Sequence, residues 1–190
     1  WLGPKTTTKR AAGIVTKSRE GPDCMIDSTM NERNAFFMKK ALLEARKAYD
    51  QGEVPVGCVI VKDDRIIARG RNVREQKGSV LAHAELIALE KAAKKLGSWR
   101  LDECDVYVTL EPCGMCAGAL IQARIRRLVY GTREPKFGAH QSILNLFSYP
   151  FNHQVIVESG VLEAESEQLL KAFFQDLRRQ KALKSSDDMI

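Results

Sequence analysis

Apolar residues recur along this chain with two different periods, and the alternation of these periods predicts the order of its secondary structure. Spacing of three to four residues is typical of amphipathic helices, whereas short apolar or alternating runs are typical of strands. The predicted helices are residues 32–51, 83–96, 112–124 and 162–180, and the predicted strands are VGCVIV, RIIARG, DVYVTL, LVYG and QVIVES. The first two strands flank a polar turn and form a hairpin.

This order of elements, α-β-β-α-β-α-β-β-α, predicts an α/β fold. Helices that alternate with strands after one early hairpin imply a central mixed five-stranded sheet covered on both faces, which is a three-layer α-β-α sandwich. We expect residues 31–182 to form one domain around one core. Residues 1–30 lack a sustained apolar period, so we expect a flexible N-terminal extension, and residues 183–190 predict a loose C-terminal tail.

Composition adds an expectation about the cellular setting. Although 44% of the residues are hydrophobic, no apolar run approaches the roughly 18 residues of a membrane span, so we expect a soluble, cytoplasmic protein without a membrane partner. Five scattered cysteines favour metal ligation over a disulfide framework. The net charge of +6 favours polyanionic partners, but only weakly, because such an excess is common among enzymes.

Residues that could bind a metal ion or transfer protons lie at the starts of two predicted helices. Cys113 and Cys116 share one face of the helix that Pro112 opens, in a first turn where the helix dipole stabilises thiolates. His83 and Glu85 stand at the start of the preceding predicted helix. Two thiolates and one neutral imidazole suit Zn²⁺ and leave a fourth position for water, with Glu85 beside it to exchange protons. The pattern therefore indicates a catalytic zinc site.

Each half of this pattern also has a simpler interpretation. A lone C-x-x-C in a reducing compartment is as often a redox pair or half of a four-cysteine structural zinc site, and a lone helical histidine more often packs than ligates. The sequence contains no second C-x-x-C, and a redox motif needs no upstream His-x-Glu. The combination of the two halves favours the catalytic interpretation.

Further segments place these motifs within a larger pattern. The segments are GEVPVGCVIV, Asn72, HAE, LGSWRL, YVTLEPCGMCAGAL, RIRRLVYGTREPKFGA, FNH and AFFQDLRR, and they cover about residues 32–180. The H-x-E and P-C-x-x-C signature resembles that of the zinc-dependent cytidine deaminase superfamily. Within it, the chain resembles the bacterial-type tRNA-specific adenosine deaminases. The resemblance implies a cytidine deaminase-like fold, with residues 31–182 as a CMP/dCMP-type deaminase domain.

The same resemblance implies a reaction and a set of functional residues. The reaction is hydrolytic deamination of adenosine to inosine at the wobble position of a tRNA anticodon loop, with zinc-activated water and Glu85 as the proton shuttle. His83, Cys113 and Cys116 are the implied ligands of one Zn²⁺ per subunit. The implied substrate contacts are Asn72, Val54, Pro55, Val56, Ala84, Arg133, Glu134, Lys136, Phe137, Asn152, His153, Phe173 and Phe174. Phe173 and Phe174 are about 100° apart on a helix, so at least one should lie in the core.

The implied partners are a tRNA anticodon stem-loop and a second copy of the chain, as a homodimer. Basic clusters support RNA binding through phosphates, although such clusters also occur on solvated faces. They consist of Arg124, Arg126, Arg127, Arg133 and Lys136, and of Arg178, Arg179, Lys181 and Lys184.

Two other functions stay open. One is a free nucleobase deaminase of the guanine type, which shares the signature. The other is a non-enzymatic RNA-binding zinc module, against which the presence of Glu85 argues.

Overall fold

The structure is a computed structural model that describes the backbone of residues 23–187 and the side chains of residues 29–183. Its helices are α1 (Asp23–Asp50), α2 (Arg74–Lys77), α3 (Ala84–Leu96), α4 (Gly114–Gln122) and α5 (Glu163–Asp187). Its strands are β1 (Gly57–Lys62), β2 (Arg65–Arg71), β3 (Asp105–Leu110), β4 (Arg127–Thr132) and β5 (Ile156–Ser159). A short 3₁₀ turn covers Leu146–Ser148.

The five strands form one mixed sheet in the order β2-β1-β3-β4-β5. Strand β1 pairs antiparallel with both β2 and β3, whereas the β3–β4 and β4–β5 pairs are parallel. Helices α1 and α5 pack against one face, and α3 and α4 pack against the other. The predicted three-layer α-β-α sandwich is therefore confirmed.

The central strands are buried on both faces, which explains their nearly continuous apolar sequences. Along β1, Val59 and Val61 join a cluster with Met38 of α1, while Cys58 and Ile60 face the opposite cluster, which includes Leu120 of α4. Successive side chains of a strand point to opposite faces, so one strand contributes to two cores. Within residues 23–187, no helix is both long and apolar enough to cross a membrane.

The terminal helices are longer than the sequence pattern predicts. Helix α1 begins at Asp23, inside the predicted extension 1–30, and α5 ends at Asp187, inside the predicted tail 183–190. Neither helix contains a glycine or proline, so polar composition alone does not stop it. Residues 1–22 and 188–190 lie outside the described part of the chain. The pattern also missed α2 and the 3₁₀ turn, which are each a single turn.

Two helices begin at the same edge of the sheet. Helix α3 starts after His83, and α4 starts after Cys113, only three residues beyond the end of β3. A Cβ atom at Gly70 of β2 would lie 2.0 Å from the backbone oxygen of Ala84. Only glycine lets the first turn of α3 pack this closely against the strand. Because His83 directly precedes Ala84, this contact also fixes the position of His83.

Candidate active site

His83, Cys113 and Cys116 form a compact group that could hold a metal ion. Their ligand atoms all lie within 4.8 Å of one another. The Nδ1 atom of His83 is 3.8 Å from the sulfur of Cys113 and 3.5 Å from that of Cys116. Ligands placed about 2.0 to 2.3 Å from a tetrahedral zinc ion stand roughly 3.3 to 3.8 Å apart, so the observed spacing fits such an ion.

The side chains of this group shift one another's pKa values. A hydrogen bond from Cys116 lowers the pKa of Cys113 to about 4, with His83 helping and burial opposing. The same hydrogen bond, together with burial, raises the pKa of Cys116. Burial also raises the pKa of Glu85. Glu85 therefore binds a proton more readily than an exposed glutamate does, which suits a group that takes up and returns one.

A cavity of about 550 Å³ opens above this group and is the principal candidate site. Its size lies within the range of small-molecule sites. His83, Glu85 and Cys113 lie at the end of the cavity where this group is found. Most of the other residues expected at the substrate also line it, namely Asn72, Val54, Val56, Ala84, Glu134, Lys136, Phe137 and Phe174.

The remaining expected contacts lie elsewhere. Pro55 is buried and Arg133 is exposed, and neither is part of the cavity lining. Asn152 is exposed, and the Nε2 atom of His153 donates a hydrogen bond to the backbone oxygen of Ile125 at 2.7 Å. Arg133, Asn152 and His153 would contact a substrate only if it extended beyond the cavity, whereas the buried Pro55 is not placed to contact one.

The two adjacent phenylalanines of α5 separate as their helical positions require. Phe173 is buried against Tyr49 of α1, with ring centroids 5.5 Å apart. Phe174 is partly exposed and lines the cavity. The expectation that at least one of them lies in the core is met by Phe173.

Glu53 is a buried residue of the cavity lining that the sequence analysis missed. Its carboxylate accepts hydrogen bonds from the backbone N–H groups of Glu75 and Gln76, at 3.2 and 2.7 Å. It also accepts one from Nδ2 of Asn72 at 3.2 Å. An ionised carboxylate accepts hydrogen bonds and does not donate them, so the N–H₂ group of Asn72 faces Glu53. The Asn72 side-chain carbonyl oxygen is left for another partner. Glu53 thereby orients Asn72.

Glu111 is a second buried glutamate that the sequence analysis missed. It lies between the end of β3 and Cys113, and it is 2% exposed. Burial opposes its ionisation, but hydrogen bonds from the Ser142 side chain and from the N–H groups of Gln141, His140 and Glu134 lower its pKa to about 2. A charged residue directly after an apolar strand was the available signal, because an ion placed there needs buried partners.

Comparisons with known proteins agree with this geometry. Residues 30–178 match the MafB19-like deaminase family. The chain is also 47% identical over 150 residues to a tRNA-specific adenosine deaminase of Bacillus subtilis (strain 168), and the alignment covers 78% of this chain and 93% of the relative. The chain belongs to the tRNA-specific adenosine deaminase family. The resemblance noted in the sequence is thereby confirmed.

Two solved structures, a tRNA deaminase and a guanine deaminase, are similar to this chain to different degrees. A tRNA:A34 deaminase, from a study of A-to-I editing at the wobble position of transfer RNA, matches with a TM-score of 0.69 and 48% identity, covering 71% of this chain and 99% of that chain. A guanine deaminase from Nitrosomonas europaea matches with a TM-score of 0.64 and 26% identity, covering 72% and 81%. The fold is common to both, whereas the sequence is markedly closer to the tRNA:A34 deaminase.

Proposed function

We propose that this chain converts adenosine to inosine at the wobble position of a tRNA anticodon loop by hydrolytic deamination. The observation that carries the proposal is the group of His83, Cys113 and Cys116 at the end of a nucleoside-sized cavity, with Glu85 beside it. Family membership selects adenosine in tRNA from the bases that such a site could deaminate.

We propose that the metal is Zn²⁺, one per chain, held by His83, Cys113 and Cys116. The donor set supports this choice, because two sulfurs and an imidazole at tetrahedral spacing suit zinc better than magnesium or calcium. When bound at such a site, zinc supplies a water molecule that is activated as a nucleophile near neutral pH.

Glu85 is the proposed proton carrier of the reaction. Its buried carboxyl group takes a proton from the attacking water, passes it to the ring nitrogen of adenine, and then helps protonate the departing amine. Water adds at C6, the C6–N6 bond breaks, and ammonia leaves, so that adenosine and water give inosine and ammonia. The burial of Glu85 supports this role, because a carboxyl group removed from water holds a proton more readily.

The cavity walls have the chemistry to hold a base taken out of its stack. Val54 and Val56 offer apolar surface, and Asn72 offers the carbonyl oxygen that Glu53 leaves available. Phe137 and Lys136 lie at the exposed rim, where they suit stacking with a neighbouring base and contact with a phosphate. The proposed contacts at Arg133, Asn152 and His153 lie outside the cavity and suit a longer RNA.

The test is an assay of purified full-length protein for bound metal and for inosine formation. We expect one zinc per chain and conversion of an anticodon stem-loop with adenosine at the wobble position. We expect no conversion of the same stem-loop with guanosine there, or of free adenosine, cytidine or guanine. Ammonia release from free guanine, without inosine in the stem-loop, would replace the proposal with a guanine-type deaminase.

We further propose a homodimer, a cytoplasmic location, and residues 31–182 as the deaminase domain. A tRNA substrate supports the location. The outer side of α4 supports a subunit contact, because Gly114 and Gly118 lie there at positions where an added Cβ atom would meet open space. Sedimentation of the purified protein tests the dimer. A mass of one chain at micromolar concentration would contradict it.

A further inference from the structure

One wall of the cavity is a segment without regular secondary structure. We call residues 133–142 the wall loop; it follows β4 and precedes the 3₁₀ turn. Its residues Glu134, Lys136 and Phe137 line the cavity. The side chain of Phe137 is 69% exposed, so packing does little to hold it. The position of this wall must therefore be set through the backbone of the loop.

The carboxylate of Glu111 gathers the backbone of the wall loop around itself. Its Oε1 atom accepts hydrogen bonds from the N–H groups of His140, Gln141 and Ser142, at 2.9, 2.8 and 3.2 Å. Its Oε2 atom accepts one from the N–H of Glu134 at 3.1 Å and another from the Ser142 hydroxyl. Both ends of the loop thus converge on one buried side chain. Convergent backbone N–H groups of this kind form a concavity suited to an anion.

The fit between Glu111 and the loop is also steric. A Cβ atom at Gly138 would lie 2.5 Å from the Glu111 carboxylate, so only glycine allows this approach. Gly138 forms an isolated bridge with Cys113, and the N–H of Ala139 donates to the backbone oxygen of Pro112 at 2.9 Å. The same stretch of chain therefore holds a proposed zinc ligand and the anchor of the cavity wall.

We propose that Glu111 is a positioning residue, which orders the wall loop and so places Lys136 and Phe137 against the RNA substrate. The proposal rests on the proposed function for the identity of the substrate. The Glu111 carboxylate takes the place of water as the charged hydrogen-bond acceptor of four backbone N–H groups. Charged hydrogen bonds are stronger than neutral ones, and a buried N–H group without an acceptor is costly.

Hydrogen exchange of Glu111→Gln measures this role without reference to activity. The glutamine amide keeps the volume of the side chain but turns an N–H₂ group toward backbone N–H donors. We expect amide exchange of the wall loop to rise about tenfold or more, because several hydrogen bonds weaken together. The matched control is Glu44→Gln, which alters a buried carboxylate on α1 that bonds to Lys47 and lies outside the cavity lining. Unchanged loop exchange in Glu111→Gln, or an equal rise in Glu44→Gln, overturns the proposal.

Kinetics of the same variant distinguish positioning from a role in metal binding. We expect KM for the stem-loop to rise about tenfold, kcat to change less than about threefold, and zinc to stay at one per chain. Loss of zinc, or an unchanged KM with a mobile loop, overturns the proposal. If the wild-type protein does not deaminate the stem-loop, the proposed function fails, whereas the exchange experiment still decides whether Glu111 orders the loop.

Gly138→Ala offers a second route to the same contact. Its Cβ would collide with the Glu111 carboxylate while every hydrogen-bonding group stays in place. We expect the same rise in loop exchange and in KM. Gly138→Ala therefore still tests the contact if Glu111→Gln does not fold. Wild-type exchange and wild-type KM in Gly138→Ala overturn the proposed fit.

Discussion

The floor and the wall of the cavity are built in different ways. The floor consists of His83, Cys113 and Cys116, which the first turns of α3 and α4 present from the edge of the sheet. The wall is the loop 133–142, whose backbone is gathered around the buried Glu111. The floor is thus positioned by helices that are part of the core, and the wall by the hydrogen bonds of one side chain.

This difference implies a division of labour between chemistry and recognition. Regular elements hold the proposed zinc ligands in place, which a catalytic geometry requires, whereas a loop can carry the groups proposed to contact an extended RNA. Floor variants should therefore abolish deamination and leave RNA binding nearly intact. Wall variants should weaken binding and leave the chemical step nearly intact. The following predictions test that separation.

Cys116→Ser should have the largest effect. The thiolate is a proposed zinc ligand and is fully buried, and a serine hydroxyl is a poor substitute. We expect zinc to fall well below one per chain and inosine formation to fall to background, while affinity for the stem-loop changes less than about threefold. Metal analysis and a binding titration measure the two quantities. Cys104→Ser, at another buried cysteine outside the group, should keep both zinc and activity. If Cys116→Ser kept its zinc and its activity, Cys116 would not be a zinc ligand.

Glu85→Gln should lower kcat by about a hundredfold to ten-thousandfold, because general acid–base catalysis contributes this much. Zinc and stem-loop affinity should stay at wild-type values, since the variant keeps the ligands and the cavity shape. Single-turnover inosine formation measures the chemical step. The control is Glu90→Gln, an exposed position on the same helix. A decrease of less than about tenfold would assign proton transfer to another group.

The floor could be predicted from the sequence because its residue types form a metal-binding signature, although His83 lies 30 and 33 residues from Cys113 and Cys116. Cys113 and Cys116 are three residues apart, so the start of one helix places both sulfurs on one face. His83 and Glu85 are two residues apart and share the site because His83 is the extended residue that precedes the first turn of the other helix. The strands were equally predictable, because apolar runs such as VGCVIV can be buried on both faces. The helix boundaries at Asp23 and Asp187 were missed, since polar residues extend a helix as well as they end one.

The anchoring of the wall could not be predicted because its contacts are distant in sequence and no pattern of residue types marks them. Glu111 meets the loop at positions 23 to 31 residues away, and Glu53 meets Asn72 across 19 residues. Turn chemistry does not reveal which carboxylate a loop backbone will surround. The same limit applies to Phe173 and Phe174, where helical spacing required one buried ring but did not say which.

Phe137→Ala tests the wall by removing a rim aromatic without touching its anchor. Stacking of a base on an aromatic ring contributes about 1 to 3 kcal/mol, so KM for the stem-loop should rise about fivefold to 150-fold with kcat nearly unchanged. Steady-state kinetics give both constants. Trp99→Ala, at an exposed aromatic residue outside the cavity lining, serves as the control. An unchanged KM would mean that the wall excludes water from the site but does not stack on RNA.

Lys136→Ala should have the smallest effect and tests how the wall meets RNA. The exposed ammonium group lies on the same loop as Phe137, and its proposed partner is a phosphate. Loss of one phosphate contact should weaken binding only a few-fold at moderate salt, but it should reduce the slope of log affinity against log salt by about 0.7 to 0.9. Titrations at several salt concentrations measure that slope, with Lys95→Ala on α3 as the control. Because screening acts on charge and hardly on stacking, Phe137→Ala should keep the wild-type slope. Equal slopes in all of these proteins would show that the wall recognises RNA by shape and stacking alone.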